Sequence, residues 1–157
     1  MGAGKTTVCR LLRDRMQPAV FLDGDWCWDM KPFLVCEETR RMVVENICAL
    51  LNNFLRCSVY KTVLFCWVMH EQSIVDSILE RLDLNRVHFR LFTLTLTESA
   101  LRRHLAADLD AGLRTPDVVE RSVERLPLYA RMVSEKIDVS ERTAEEAADI
   151  IAALCGR

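Results

Sequence analysis

Met1-Gly2-Ala3-Gly4-Lys5-Thr6-Thr7 opens the chain, and Val8-Cys9-Arg10-Leu11-Leu12 continues it with the apolar spacing of a helix. Gly-Lys-Thr running into a helix is the end of the pattern G-x-x-x-x-G-K-[ST], which stands between a buried strand and a helix. Glycines at such a junction let consecutive backbone N–H groups turn inward around phosphate oxygens, at the positive end of the helix dipole. Gly2, Ala3, Gly4, Lys5, Thr6 and Thr7 would thus cradle the phosphates of a nucleoside triphosphate. Lys5 would reach the β- and γ-phosphates, and the Thr6 hydroxyl would bind Mg²⁺. The first Gly of the pattern falls two positions ahead of Met1, so a preceding apolar strand is expected beyond these 157 residues. The same opening also fits the lipidation pattern M-G-x-x-x-[ST], but the phosphate loop already accounts for every residue in that match.

Outward from the loop, helical and strand patterns alternate. Thr6 to Met16 reads as a helix, Ala19 to Leu22 as a short strand, and the aromatic stretch Trp26 to Val35, with Pro32, as a loop. Glu37 to Arg56 is a long amphipathic helix with Val43, Ile47, Leu51 and Phe54 on one stripe. Thr62 to Met69 is apolar on both faces, as a buried parallel strand requires. A helix from Gln72 to Leu82, a strand from Phe89 to Leu96 and a helix capped by Thr97 follow, the last closing at Asp110-Ala111-Gly112. Pro116 begins the next helix, which is expected to continue to Met132; Ile137 to Val139 is the last strand and Thr143 to Leu154 the closing helix. This alternation predicts an α/β fold, a parallel sheet with helices on both faces, as a single domain over residues 1–157. Ligands of such sheets bind at the carboxyl ends of the strands, so the residues just after each strand carry the information.

Composition narrows the class. Half of the residues are hydrophobic and 28% are charged, the balance of a folded domain. A net charge of -2 argues against a dedicated nucleic-acid or acidic-membrane binder. The longest nearly continuous apolar run, Val63 to Met69, is too short to span a bilayer, and no secretory signal is visible. None of the seven cysteines forms C-x-x-C, and no Cys/His cluster has zinc spacing, so reduced thiols and a cytoplasmic location are expected.

The second chemical signal is Phe21-Leu22-Asp23-Gly24-Asp25 at the end of a strand. Two carboxylates one residue apart on a strand project to the same side. One can hold Mg²⁺ or its water while the other accepts a proton from an attacking hydroxyl.

Gly4-Lys5-Thr6 followed by Leu22-Asp23-Gly24-Asp25 at the end of the next strand resembles the small P-loop kinases: the shikimate, gluconate, adenylylsulfate and chloramphenicol kinases, and more distantly adenylate kinase. The resemblance extends over the whole chain in element order. It implies a three-layer sandwich with strand order 2-3-1-4-5, whose first strand is missing here, and a helical lid over about residues 102–125. It implies ATP and Mg²⁺ as cofactors, Asp23 and Thr6 beside the metal, and Asp25 orienting or deprotonating the acceptor hydroxyl. It also implies that lid arginines close over the phosphates, with Arg114 and Arg121 first and Arg102 next. A solvated helix face with these arginines paired to Glu120, Glu124 and their neighbours is the competing reading. By position, Arg142 after the last strand lies where relatives contact adenine.

Trp26, Trp28, Met30 and Phe33 follow the acidic pair, and Trp67, His70 and Glu71 end the third strand of the family order, so an aromatic wall is expected around a small-molecule acceptor. Nucleotide kinases resembling this chain carry an Arg after that strand; Cys66-Trp67-Val68-Met69-His70-Glu71 has none and offers a carboxylate instead, which favours a hydroxyl acceptor. Arg40 and Arg41 keep a nucleoside or nucleotide acceptor open. The leading reading is a small-molecule kinase, a monomer or homodimer without nucleic-acid or membrane partners. A non-catalytic or truncated nucleotide-binding protein is the alternative.

Overall fold

The computed structural model describes residues 2–110 and 117–156. In chain order the elements are α1 (Lys5–Arg15), β1 (Ala19–Asp23), a 3-10 turn (Gly24–Trp28), α2 (Glu37–Arg56), β2 (Thr62–Cys66), α3 (Gln72–Leu79) and β3 (Phe92–Thr95). They continue as α4 (Glu98–Asp110), α5 (Asp117–Glu124), α6 (Leu126–Arg131), β4 (Glu135–Asp138) and α7 (Ala144–Cys155). The α/β alternation read from the sequence is therefore the architecture, with both strand pairings parallel.

The strands form two separate pairs rather than one continuous sheet. β1 lies beside β2 in the register Ala19 to Thr62 through Asp23 to Cys66, and β3 lies beside β4 from Phe92 opposite Glu135 to Thr95 opposite Asp138. Pairing also explains why the strands are shorter than their apolar runs. β2 stops at Cys66 because its partner turns away after Asp23, and β3 starts at Phe92 because β4 begins only at Glu135. The helix expected from Pro116 to Met132 is broken at Arg125, and Pro127 occupies the first turn of α6. Proline has no N–H to give to the preceding turn, so the chain restarts a helix there instead of continuing one.

Helices cover both faces of the strands. On one side α1 and α7 pack together through Val8, Leu12, Ala147, Ala148 and Ile151, and this layer touches Leu64 of β2 as well as Phe92 and Leu94 of β3. On the other side Val43, Ile47 and Leu51 of α2 and Ile78 of α3 close over Leu22, Val63 and Phe65. Leu101 and Leu105 of α4 meet Val118 of α5 in a third cluster. α7 begins with a reciprocal cap: Thr143 Oγ1 accepts from the N–H of Glu146, and Glu146 Oε2 accepts from the N–H of Thr143. Arg90 fastens the start of β3 to β4 and α7, forming an ion pair with Glu135 at 2.6 Å and donating to the carbonyl of Leu154. Among the described residues no helix is long and apolar enough to cross a membrane, and all seven cysteines are free thiols.

Candidate active site

The segment entering α1 has the backbone of an anion cradle. Gly2 and Gly4 have φ of 77° and 75°, the left-handed region, on either side of Ala3. Gly4 is the N-cap of α1 and has no side chain to accept from the first turn, so the orphan N–H groups there are left for a ligand. A residue with a Cβ at either position would be strained, which is the physical reason that glycine stands at both. Lys5 opens the helix and is half-buried; Thr6 follows half-buried and Thr7 exposed. His104 of α4 bonds through Nδ1 to the carbonyl of Gly2 at 3.0 Å, tying the loop to the fourth helix. This contact is not legible in the sequence, because an isolated histidine on an amphipathic helix carries no motif.

The carboxyl end of β1 meets this loop. Thr6 Oγ1 donates to Asp23 Oδ2 at 2.6 Å, and Asp23 is only 5% exposed. The other carboxylate oxygen of Asp23 accepts the N–H of Asp25 at 3.1 Å and caps the 3-10 turn. Asp25 thus lies in that turn and not on the strand: its exposed side chain is placed by the turn rather than by strand alternation. Gly24 separates the two acids because a Cβ there would stand 2.5 Å from the ring of Trp67. The aromatic residue after β2 is thereby pressed against the acidic turn while also packing on the α2 core.

Around this turn Trp26 meets Phe21 edge-on at 5.3 Å and Trp28 lies 5.7 Å from Phe33. Trp26 and Phe33 are 54% and 65% exposed, an apolar surface open to a ligand. His70 Nε2 stands 3.7 Å from Glu71, while its Nδ1 is buried with no hydrogen-bond partner among the described residues. Burial, and then the positive charge of Arg125, hold the His70 pKa below its ordinary 6.5, which favours the neutral ring. The hydroxyl of Tyr129 is the other buried polar atom without a hydrogen-bond partner among the described residues, and burial raises its pKa.

The arginines divide. Arg102 forms ion pairs with Glu98 at 2.8 Å and Glu120 at 2.9 Å, binding α4 to α5. The competing sequence reading, arginines paired on a helix face, describes its position in this structure. Those two carboxylates raise its pKa, and Arg102 in turn lowers that of Glu120. Arg103 reaches the carbonyl of Ser140 and the carboxylate of Glu141 after β4, so it joins α4 to the segment where an adenine contact was expected. Arg142, on that segment, donates to the carbonyl of Asp138. Arg121 lies on α5, and Arg114 falls outside the described residues.

Two left-handed glycines ahead of a lysine-threonine helix start, and a buried aspartate bonded to that threonine at the end of a parallel strand, define a P-loop fold. A family model described as an AAA domain matches residues 1–121, and the chain belongs to that family. Solved structures share the fold over nearly the whole chain. The Deinococcus radiodurans tunicamycin resistance protein is 14% identical and superposes with a TM-score of 0.67 over 96% of this chain and 90% of its own. A sugar kinase from Janibacter is 13% identical, with a TM-score of 0.69 over 99% of this chain and 89% of that one. A gluconokinase from Sinorhizobium meliloti is 17% identical, with a TM-score of 0.64 over 99% and 91%. No curated protein sequence matches the chain significantly.

Proposed function

We propose that this protein is an ATP- and Mg²⁺-dependent kinase that transfers the γ-phosphoryl group to a hydroxyl of a small, polyhydroxylated molecule. The observation that carries the reading is the 2.6 Å hydrogen bond from Thr6 to the buried Asp23, which brings the phosphate loop and an acidic strand end to one point. Loop N–H groups and Lys5 would bind the β- and γ-phosphates and draw charge towards the bridging oxygen. Thr6 and Asp23 are hard oxygen donors of the kind Mg²⁺ takes alongside phosphate and water, so the residues fit that ion. Mg²⁺ supplies charge neutralisation at the phosphates when bound.

Asp25, whose side chain is exposed and whose N–H bonds to Asp23, would accept the acceptor's proton. The acceptor oxygen forms its bond to the γ-phosphorus as the bond to the β,γ-bridging oxygen breaks; the proton passes to Asp25 and ADP leaves. Arg121, Arg102 and Arg114 would close over the phosphates, Arg102 exchanging its glutamate partners for phosphate oxygens. Arg142 would flank the adenine. The aromatic surface of Trp26, Trp28 and Phe33 suits the apolar face of a sugar or related ring. Fold neighbours named as a sugar kinase and a gluconokinase support a polyhydroxylated acceptor.

A screen of sugars, sugar acids and aminocyclitols for acceptor-dependent ADP release tests the reading. Turnover that disappears in Asp25→Asn while ATP binding persists supports it. ATP binding without turnover on any hydroxyl acceptor would favour a non-catalytic nucleotide-binding role.

A further inference from the structure

Three consecutive residues of α4 reach three different parts of the site. Arg102 pairs with Glu120 of α5, and Arg103 reaches the carbonyl of Ser140 and the carboxylate of Glu141 after β4. His104 Nδ1 lies 3.0 Å from the carbonyl of Gly2 in the phosphate loop. The start of α4 is itself held: Thr97 Oγ1 accepts the N–H of Ala100 at 3.2 Å, and the N–H of Thr97 donates to Ser140 Oγ at 2.9 Å. The loop rests on this anchored helix. Leu101 and Leu105, both buried, form the seat, because a Cβ on Gly2 would stand 3.0 Å and 2.9 Å from their side chains. Apolar contact sets how near the loop comes, but it is non-directional and does not decide which way a peptide faces. That choice falls to His104.

A carbonyl oxygen can only accept, so Nδ1 of His104 carries the proton and donates it to Gly2. The peptide held in this way joins Gly2 to Ala3, and it is trans. In a trans peptide the C=O and N–H point in opposite directions. A Gly2 carbonyl turned toward α4 therefore sends the Ala3 N–H away from α4. We propose that His104 is a positioning residue for phosphate binding: by holding the Gly2 carbonyl, it presents the Ala3 N–H to the phosphate oxygens of the bound nucleotide. The restraint is needed because glycine accepts either sign of φ, so the Gly2–Ala3 peptide can flip at little steric cost. Flipped, its N–H faces α4 and is lost to the ligand. His104 acts through the loop rather than on phosphate itself. This role rests on the nucleotide-binding reading above, and adds to it a residue about a hundred positions from the loop that no loop motif contains.

The test compares the parent with His104→Leu and His104→Asn. Leu fills similar space and removes the donor. The Asn side-chain NH2 stands as many bonds from Cα as Nδ1 does, so it can renew the bond. Binding of ATP and ADP is measured by titration calorimetry and that of adenosine by competition with ATP, beside the thermal midpoint of each protein. His104→Leu should weaken ATP and ADP by about tenfold, the worth of one hydrogen bond to a charged group. Adenosine, which has no phosphate for the loop to hold, should bind as it does to the parent. His104→Asn should restore most of the ATP affinity. Three results overturn the role: ATP affinity unchanged in His104→Leu; equal losses for ATP and adenosine, which would make the bond a matter of folding alone; or equal losses in the Leu and Asn variants, which would discount the Nδ1 donor. A parent that binds none of the three ligands overturns the nucleotide-binding reading and this role with it, a result distinct from a parent and a Leu variant that bind ATP equally.

Discussion

The hydroxyl of Thr6 and the carboxylate of Asp23 stand 2.6 Å apart, joining the first turn of α1 to the carboxyl end of β1. Asp23 is 5% exposed, and its other described partner is the N–H of Asp25. A buried carboxylate with so few donors is costly unless each is kept or a cation replaces them. The pair is a structural clamp, and under the proposed function the same oxygens would be offered to Mg²⁺.

Removing the donor should expose that cost. Thr6→Val preserves the shape of the side chain and deletes the hydroxyl, leaving one Asp23 oxygen unsatisfied. Urea unfolding should show a loss of about 1–3 kcal/mol. Thr6→Ser, which keeps the hydroxyl, should recover most of it. A Val variant as stable as the parent would mean that Asp23 is satisfied without Thr6.

Asp23→Asn removes the charge and keeps one acceptor oxygen, which can take the Asp25 N–H while the amide NH2 donates to the Thr6 hydroxyl. It should therefore fold normally and lose Mg²⁺-dependent turnover by 100-fold or more, with metal-free ATP binding little changed. The check is a turnover titration against Mg²⁺ beside ATP binding in chelator. Normal Mg²⁺ dependence would remove Asp23 from the metal's surroundings.

Gly4 has φ of 75° at the N-cap of α1, with open space where a Cβ would go. Gly4→Ala meets no clash, so its cost is backbone strain alone, about 1–2 kcal/mol. If the loop relaxes to relieve it, the inward N–H groups are lost. ATP affinity should fall by at least tenfold while the thermal midpoint moves by a few degrees, as calorimetry can show. Unaltered affinity would mean that the left-handed turn is not part of the phosphate cradle.

His70 gives the expected pH behaviour. Its folded pKa lies below 6.5, because burial and Arg125 disfavour the charged ring. The unfolded chain therefore binds more protons between the folded value and 6.5, and stability falls as pH drops through that window. Above 6.5 both states carry a neutral ring and the effect vanishes. Midpoints measured from pH 7.5 down to 5 should fall more steeply for the parent than for His70→Gln. Identical slopes would exclude His70 as the source.

Much of the fold was legible because periodicity and loop chemistry are local. The bounds of α2, Glu37–Arg56, coincide with the apolar stripe through Val43, Ile47 and Leu51. The phosphate loop and Asp23 were legible for the same reason: a motif of glycines with Lys-Thr, and an acid ending an apolar strand. What depended on partners was not legible. Apolar runs predict strands as long as themselves, whereas ladders end where the neighbouring strand ends, at Cys66 and before Phe92. Pro127 divided a helix that apolar spacing alone would have continued. The role of Arg102 in holding Glu98 and Glu120, and of His104 in holding Gly2, arises from helices that meet only in the folded chain. Among the described residues the four strands form two separate pairs, so the order 2-3-1-4-5 that the resemblance implies stays an expectation.

The central claim is that the segment from Gly2 to Thr7 holds the phosphates of ATP through Lys5 for transfer. The most direct measurement is ATP–Mg²⁺ binding by titration calorimetry, with phosphoryl transfer alongside, for the parent and Lys5→Ala. The account predicts saturable, Mg²⁺-strengthened binding that Lys5→Ala weakens by about 100-fold, in line with the loss of one charged phosphate contact of roughly 3 kcal/mol, and no transfer by the variant. Equal affinity and equal transfer in parent and Lys5→Ala, with both proteins cooperatively folded, would contradict it.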